Sequence, residues 1–128
     1  FVKQDSGTYK VLHSLEDKPG IDKKSVIRRK IAEKRLSVEM GGVMYQEVLI
    51  PTDRNTQSVL TSMNLRSDRD LTYTEQFKIS EGTWITLDRE KIVEIGNHVF
   101  SHVSWCFARE RELNALLEAG EDITEESW

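Results

Sequence analysis

One cysteine in 128 residues, Cys106, cannot form an internal disulfide, so nothing here calls for an oxidising compartment. Histidine is scarce as well, with three in the chain, which leaves a metal site few nitrogen ligands to draw on. No apolar run approaches the roughly 20 residues that a helical membrane span needs, and no signal peptide opens the sequence. An excess of positive charge is also missing: the formal net charge is −4, which argues against nucleic acid and anionic membranes as partners of the chain as a whole. Glycine-rich phosphate loops, paired carboxylates in a recognisable catalytic motif and a Ser/His/Asp signature do not occur, and no cofactor is implied. The chain begins at Phe1 rather than Met, so we expect a piece of a longer product or a processed chain.

What is present fits a folded domain. Hydrophobic residues at 38% with 31% charged is an ordinary globular composition. A chain of 128 residues suits a single core that buries about two-thirds of the unfolded surface. Residues 1–20 read as an arm or connector: a weakly alternating run at 8–12 is flanked by Asp5-Ser6-Gly7 and Pro19-Gly20. From Asp22, a plausible N-cap, the pattern turns helical. Val26, Ile27, Ile31 and Val38 keep one apolar side, while seven Lys/Arg between Lys23 and Arg35 cover the remainder.

Gly41-Gly42 stops that helix, and residues 43–50 read as a hairpin with Gln46-Glu47 at its tip, ended by Pro51. Thr52 or Asp53 caps a second helix with Val59, Leu60 and Met63 inward, and residues 67–71 read as a polar loop. Runs at 75–79 and 83–87, separated by Ser80-Glu81-Gly82, form a second hairpin, with Phe77 and Trp84 expected to cover the core. Asp88 then caps a helix of about 30 residues, about 45 Å long, which Gly120 ends. Its seam is heptad-like: Ile92, Val99, Cys106 and Leu113 stand seven apart, with Ile95 or Gly96, Val103, Glu110 and Leu117 between. A helix of that length exceeds what a small domain buries, so part of the seam is expected to face the sheet and part a neighbouring subunit.

The run N-H-V-F-S-H-V-S-W-C-F spaces His98, His102 and Cys106 four apart and raises the question of metal or Cys/His chemistry. Helical rise answers most of it. His98 and Cys106 would stand roughly 12 Å apart along the axis, too far to share one ion. His98 with His102 remains geometrically open, but the H-E-x-x-H context is missing. Helical angle puts Cys106 near the centre of the seam as a small buried hydrophobe, His102 on its flank, and His98 toward solvent or a neighbour. The cations of the first helix surround it rather than forming one stripe, and no aromatic platform is interleaved, so a solvated face is expected over a phosphate track. Trp128, after an acidic tail, is an anchor either on this domain or on a partner.

The order Arg29-x-x-Ile-Ala-x-x-Arg35, Gly41-Gly42-Val43, Thr52-Asp53-Arg54-Asn55-Thr56-Gln57-Ser58, Gly82-Thr83-Trp84-Ile85-Thr86-Leu87-Asp88 and His102-Val103-x-x-Cys106-Phe107-x-x-Glu110 resembles a domain of unknown function common in tailed-bacteriophage tail, tail-fibre and tail-fibre-assembly proteins. The resemblance covers about residues 25–128. It departs from the chain at the first hairpin, where a glycine turn is expected and Gln46-Glu47 stands. What it implies is a virion or assembly part with no catalytic residues, located in the virion tail and, during assembly, in the host cytoplasm.

The expectation is therefore an α+β fold in which two short β-hairpins pack against one long C-terminal helix and a shorter basic N-terminal helix. Residues 1–20 would form the arm, 21–120 the phage-tail-type domain and 121–128 an acidic tail. Function would be non-enzymatic docking to other tail proteins within an oligomeric assembly, through Ile92, Val99, Val103, Leu113, Leu117 and Trp128, with no catalytic, cofactor or metal residues. A tail-fibre assembly chaperone that leaves the particle is the alternative. A small metal-dependent enzyme using His98 and His102, and nucleic-acid binding by the Lys23 to Arg35 helix, are the other classes considered.

Overall fold

The computed structural model of the chain describes residues 22–124 and 127–128; the expected arm at 1–20, with its strand-like run and His13, lies outside them. The order of elements is α1 (Lys23–Glu39), β1 (Val43–Tyr45), β2 (Val48–Ile50), α2 (Arg54–Arg69), β3 (Glu75–Ser80), β4 (Thr83–Leu87) and α3 (Arg89–Glu118). The architecture is α+β, with β1–β2 and β3–β4 as separate antiparallel hairpins and a long C-terminal helix. Two compact units share it: residues up to Ser37 with Cys106–Trp128 form one, and Val38–Trp105 the other.

In the first unit, Asp22 starts α1 by accepting the Lys24 N–H at 3.0 Å and the Ser25 hydroxyl at 2.7 Å. The bond from Ser25, chiefly, holds the Asp22 carboxyl below its usual range. Ile27 and Ile31, one turn apart, are buried against Leu113 and Leu117, also one turn apart, and against Ile123. Beyond α3, Ile123 belongs to this core and Trp128 packs on it. Gly120, at φ 86°, closes α3: its N–H donates to Leu117 O, and the next N–H, of Glu121, to Leu116 O. That pair of bonds needs a left-handed residue, which is why glycine stands here.

The basic face of α1 is less solvated than its sequence implies. Arg28 meets Glu118 at 2.8 Å, Lys24 meets it at 3.7 Å, Lys30 reaches Glu33 at 3.5 Å, and Arg35 meets Glu110 at 2.8 Å. The outer pairs are exposed and contribute little. Arg35 and Glu110 are shielded, at 13% and 22% side-chain exposure, and the Arg35 guanidinium also lies 4.3 Å from the centre of the Phe107 ring.

The second unit is built on Ile50, Leu60, Met63, Phe77, Leu87, Ile92, Ile95 and Val99, drawn from both hairpins, α2 and α3. In the second hairpin Phe77 pairs with Ile85 and points inward, whereas Trp84 pairs with Lys78 on the opposite face and is 56% exposed. The expectation that Trp84 covers the core is therefore corrected: strand alternation sends it outward. Its turn is also shorter than the three-residue gap suggests, because Ser80 still pairs with Thr83 after a register shift past Lys78.

Asp53 caps α2, accepting the Thr56 hydroxyl and N–H; the hydroxyl bond, first, keeps its carboxyl low. The loop expected at 67–71 is helical as far as Arg69. Ser67 is fully buried, its hydroxyl donates to Asn64 O at 2.8 Å, and its own carbonyl accepts from Arg89 Nε at 3.0 Å. Those two bonds satisfy a polar residue inside the helix, which composition alone does not reveal. Of the three residues expected inward on α2, Leu60 and Met63 are buried, and Val59 is 37% exposed.

The first hairpin turns through Gln46 and Glu47, at φ 47° and 66°, with Val43 opposite Ile50 and Tyr45 opposite Val48. Two left-handed residues suit a two-residue hairpin, but neither is glycine or asparagine, so the tip carries strain of about 1 kcal/mol or more per residue. Replacing Gln46-Glu47 by Asn-Gly is expected to stabilise the fold by about 1 kcal/mol, seen as a rise of a few degrees in the thermal midpoint. An unchanged or lower midpoint would contradict the turn geometry.

Candidate functional site

The end of α1 is closed by groups from three other segments of the same unit. Its last-turn carbonyls have no partner within the helix, and two of them are met by His102, whose Nε2 lies 2.9 Å from Val38 O and 3.2 Å from Glu39 O. Carbonyl oxygens only accept, so the proton is on Nε2. Thr52, fully buried, donates its hydroxyl to Glu39 O at 2.5 Å and accepts the Gly42 N–H at 2.9 Å.

The Glu39 side chain, 1% exposed, sits inside this arrangement. Its Oε2 accepts from Arg54 Nε and from Gln57 Nε2, each at 2.9 Å, and its Oε1 from Arg54 Nη2 at 3.2 Å. Gln57 Nε2 also donates to Thr52 O at 2.9 Å. The run Thr52-Asp53-Arg54-x-x-Gln57 thus wraps one buried carboxylate, and both of its oxygens are engaged. A carboxylate so enclosed is unable to reach a substrate; it ties α1 to the start of α2. Sequence reading missed Glu39, which looks like one more charge on the polar side of α1, although the run that clasps it was conspicuous.

The residues singled out in the sequence fall in different places. Cys106 is fully buried, as the seam required. His102 is the helix-end donor just described. His98 is exposed, with its ring edge-on to Tyr45 at 5.4 Å between centres, and the Tyr45 hydroxyl bonds Glu94. That bond is the first cause raising the Tyr45 phenol above its usual range. Among the described residues, no group of three His, Cys, Asp or Glu could hold a metal ion.

The expected docking seam is the chain's own core. Ile92 is 0% exposed, Val99 4%, Leu113 2% and Leu117 5%, and Val103 is half-buried. Only the first part faces the hairpins; Leu113 and Leu117 meet Ile27, Ile31 and Ile123 instead, so the sheet contact expected for them is corrected. Buried side chains offer nothing to a neighbour, and Trp128 is taken up by its own unit. Other large apolar side chains lie outside that core. Phe100 is 70% exposed on α3 and Trp84 56% exposed on β4, while Met44 and Leu49, cross-strand partners, are each 55% exposed on the first hairpin. Phe100 rims a hollow of about 120 Å³ floored by Leu60 and Val99 and edged by Gln57 and Asn64.

The Glu39 clasp makes an asymmetric prediction. Arg54 is 61% exposed and its partner 1%. Arg54→Ala leaves a carboxylate buried without its cation and is expected to cost about 3 kcal/mol, whereas Glu39→Gln returns Arg54 to water and costs about 1 kcal/mol. Urea unfolding of both variants measures the difference, and equal losses would contradict the burial of Glu39.

Residues 22–127 match the family described as Domain of unknown function (DUF4376). No curated protein and no solved structure matches the chain. The match spans most of the sequence and takes in the helix-end clasp, both hairpins and the whole of α3, and on that ground the chain belongs to the DUF4376 family.

Proposed function

We propose that the chain is a non-enzymatic structural and interaction component of a bacteriophage tail, at the baseplate or the tail-fibre attachment, acting by protein–protein docking. Its partners are other tail proteins, it works as part of an oligomeric assembly in the virion tail, and it is assembled in the host cytoplasm. The resemblance in sequence to tail and fibre-assembly proteins supports this reading.

One structural observation carries it: large apolar side chains stand outside the core in numbers that folding does not use. Phe100 at 70%, Leu71 at 71%, Leu65 at 60% and Trp84 at 56% exposure present aromatic and aliphatic surface of the kind that interfaces bury. The one buried carboxylate among the described residues, Glu39, is sealed by Arg54 and Gln57, which favours docking over catalysis. No helix among the described residues is long and apolar enough to cross a membrane.

Mass spectrometry of purified particles of the encoding virus is expected to find the chain in the tail fraction, together with baseplate or fibre proteins. Finding it only with free fibres before assembly would shift the reading to an assembly chaperone. Finding it in neither place would overturn the proposal.

A further inference from the structure

Each strand of the second hairpin has one edge without a strand partner among the described residues, because β3 and β4 pair only with each other. On β3 the Gln76 N–H donates to the Glu75 carboxylate at 3.0 Å.

Three hollows of about 270, 290 and 350 Å³ follow α2: the first is lined also by Gln76, Phe77 and Lys78 of β3, the second by Glu75 at the start of β3, and the third by Asp70 and Tyr73 before the strand begins. The first two share Val59 and Met63, and the second and third share Arg66 and Tyr73, so together they make one groove that follows α2 to its last turn. Val59 and Met63 give its middle an apolar floor among Ser58, Ser62, Arg66 and Glu75, and Phe77 and the exposed Trp84 stand toward one end.

The other end carries two cations. Arg66 and Arg69, one turn apart, line the third hollow with Asp70 and Tyr73. The carboxylates beside them accept local bonds: Asp70 accepts the Thr72 N–H at 3.0 Å and its hydroxyl at 2.7 Å, and Glu75 accepts the Tyr73 hydroxyl at 2.8 Å as well as the Gln76 N–H. Those bonds, first from Thr72 to Asp70 and from Tyr73 to Glu75, hold both acids below their usual range, with the Arg66 charge a smaller cause at Glu75.

We propose that this groove binds an extended acidic segment of a partner protein, which adds as a third strand to the open edge of β3. The proposal rests on the docking reading and names the partner's chemistry. Backbone bonds to β3 supply attachment, an apolar side chain settles on Val59 and Met63, and a carboxylate reaches Arg66 and Arg69. Val59 and Arg69 are ten residues apart on α2, about 15 Å along the axis, and a strand covers that distance in about four residues. A separation of four also returns both side chains to the same face of the added strand, so the expected pattern is an apolar residue with Asp or Glu four positions away.

The test is selection of a random twelve-residue peptide library against the whole chain, with the Arg66→Glu, Arg69→Glu double variant as the counter-bait. Enriched peptides are expected to show the apolar and acidic pair at that spacing, to move the amide resonances of residues 75–78, and to lose at least about tenfold in affinity on the variant, whose circular dichroism and thermal midpoint match the parent. Peptides that bind the variant equally, or that move resonances elsewhere, would overturn the groove and leave docking standing. Self-association of the parent through β3, abolished in the variant, would overturn it too, since the edge would then belong to a second copy. Enrichment of nothing over background would overturn the groove.

Discussion

Everything else in this chain depends on burying the seam of α3. Ile92, Ile95, Val99, Cys106, Leu113 and Leu117 recur at helical spacing along 30 residues, and no helix of that length holds in water on propensity alone when six such side chains have to leave solvent. The hairpins and α2 cover the first part, and Ile27, Ile31 and Ile123 the last. Once that seam is filled from within the chain, its residues cease to be candidates for contact with anything else.

The polar side of the fold follows from where α1 stops. A helix ending in a buried place has carbonyls to satisfy, and His102 and Thr52 do so. Placing Glu39 there brings a charge into the interior, which Arg54 and Gln57 balance. A histidine and a carboxylate that in isolation suggest catalysis or metal binding are accounted for by a helix terminus.

Much of this was legible in the sequence. Alternation and turn residues placed both hairpins, the Asp22, Asp53 and Gly120 boundaries followed from capping chemistry, and helical rise alone separated His98 from Cys106. What was hidden involves partners distant in sequence. Ser67 lies in a helix because Arg89 reaches its carbonyl, Glu39 is buried because α2 begins beside it, and Leu113 meets α1 rather than a strand. Periodicity shows which side of an element is apolar and not what lies against it. Trp84 faces out for a local reason: the strand register pairs it with Lys78 on the face opposite Phe77.

The division between an inward seam and outward apolar residues is therefore the central claim. Hydroxyl-radical footprinting, read by mass spectrometry on the isolated chain and again on the tail particles in which the proposed function places it, tests it most directly. Trp84 and Phe100 should oxidise readily in the free chain and be protected in the particle, while Cys106 should stay protected in both. Oxidation of Cys106 in the free chain, or Trp84 and Phe100 equally reactive in both states, would contradict the account.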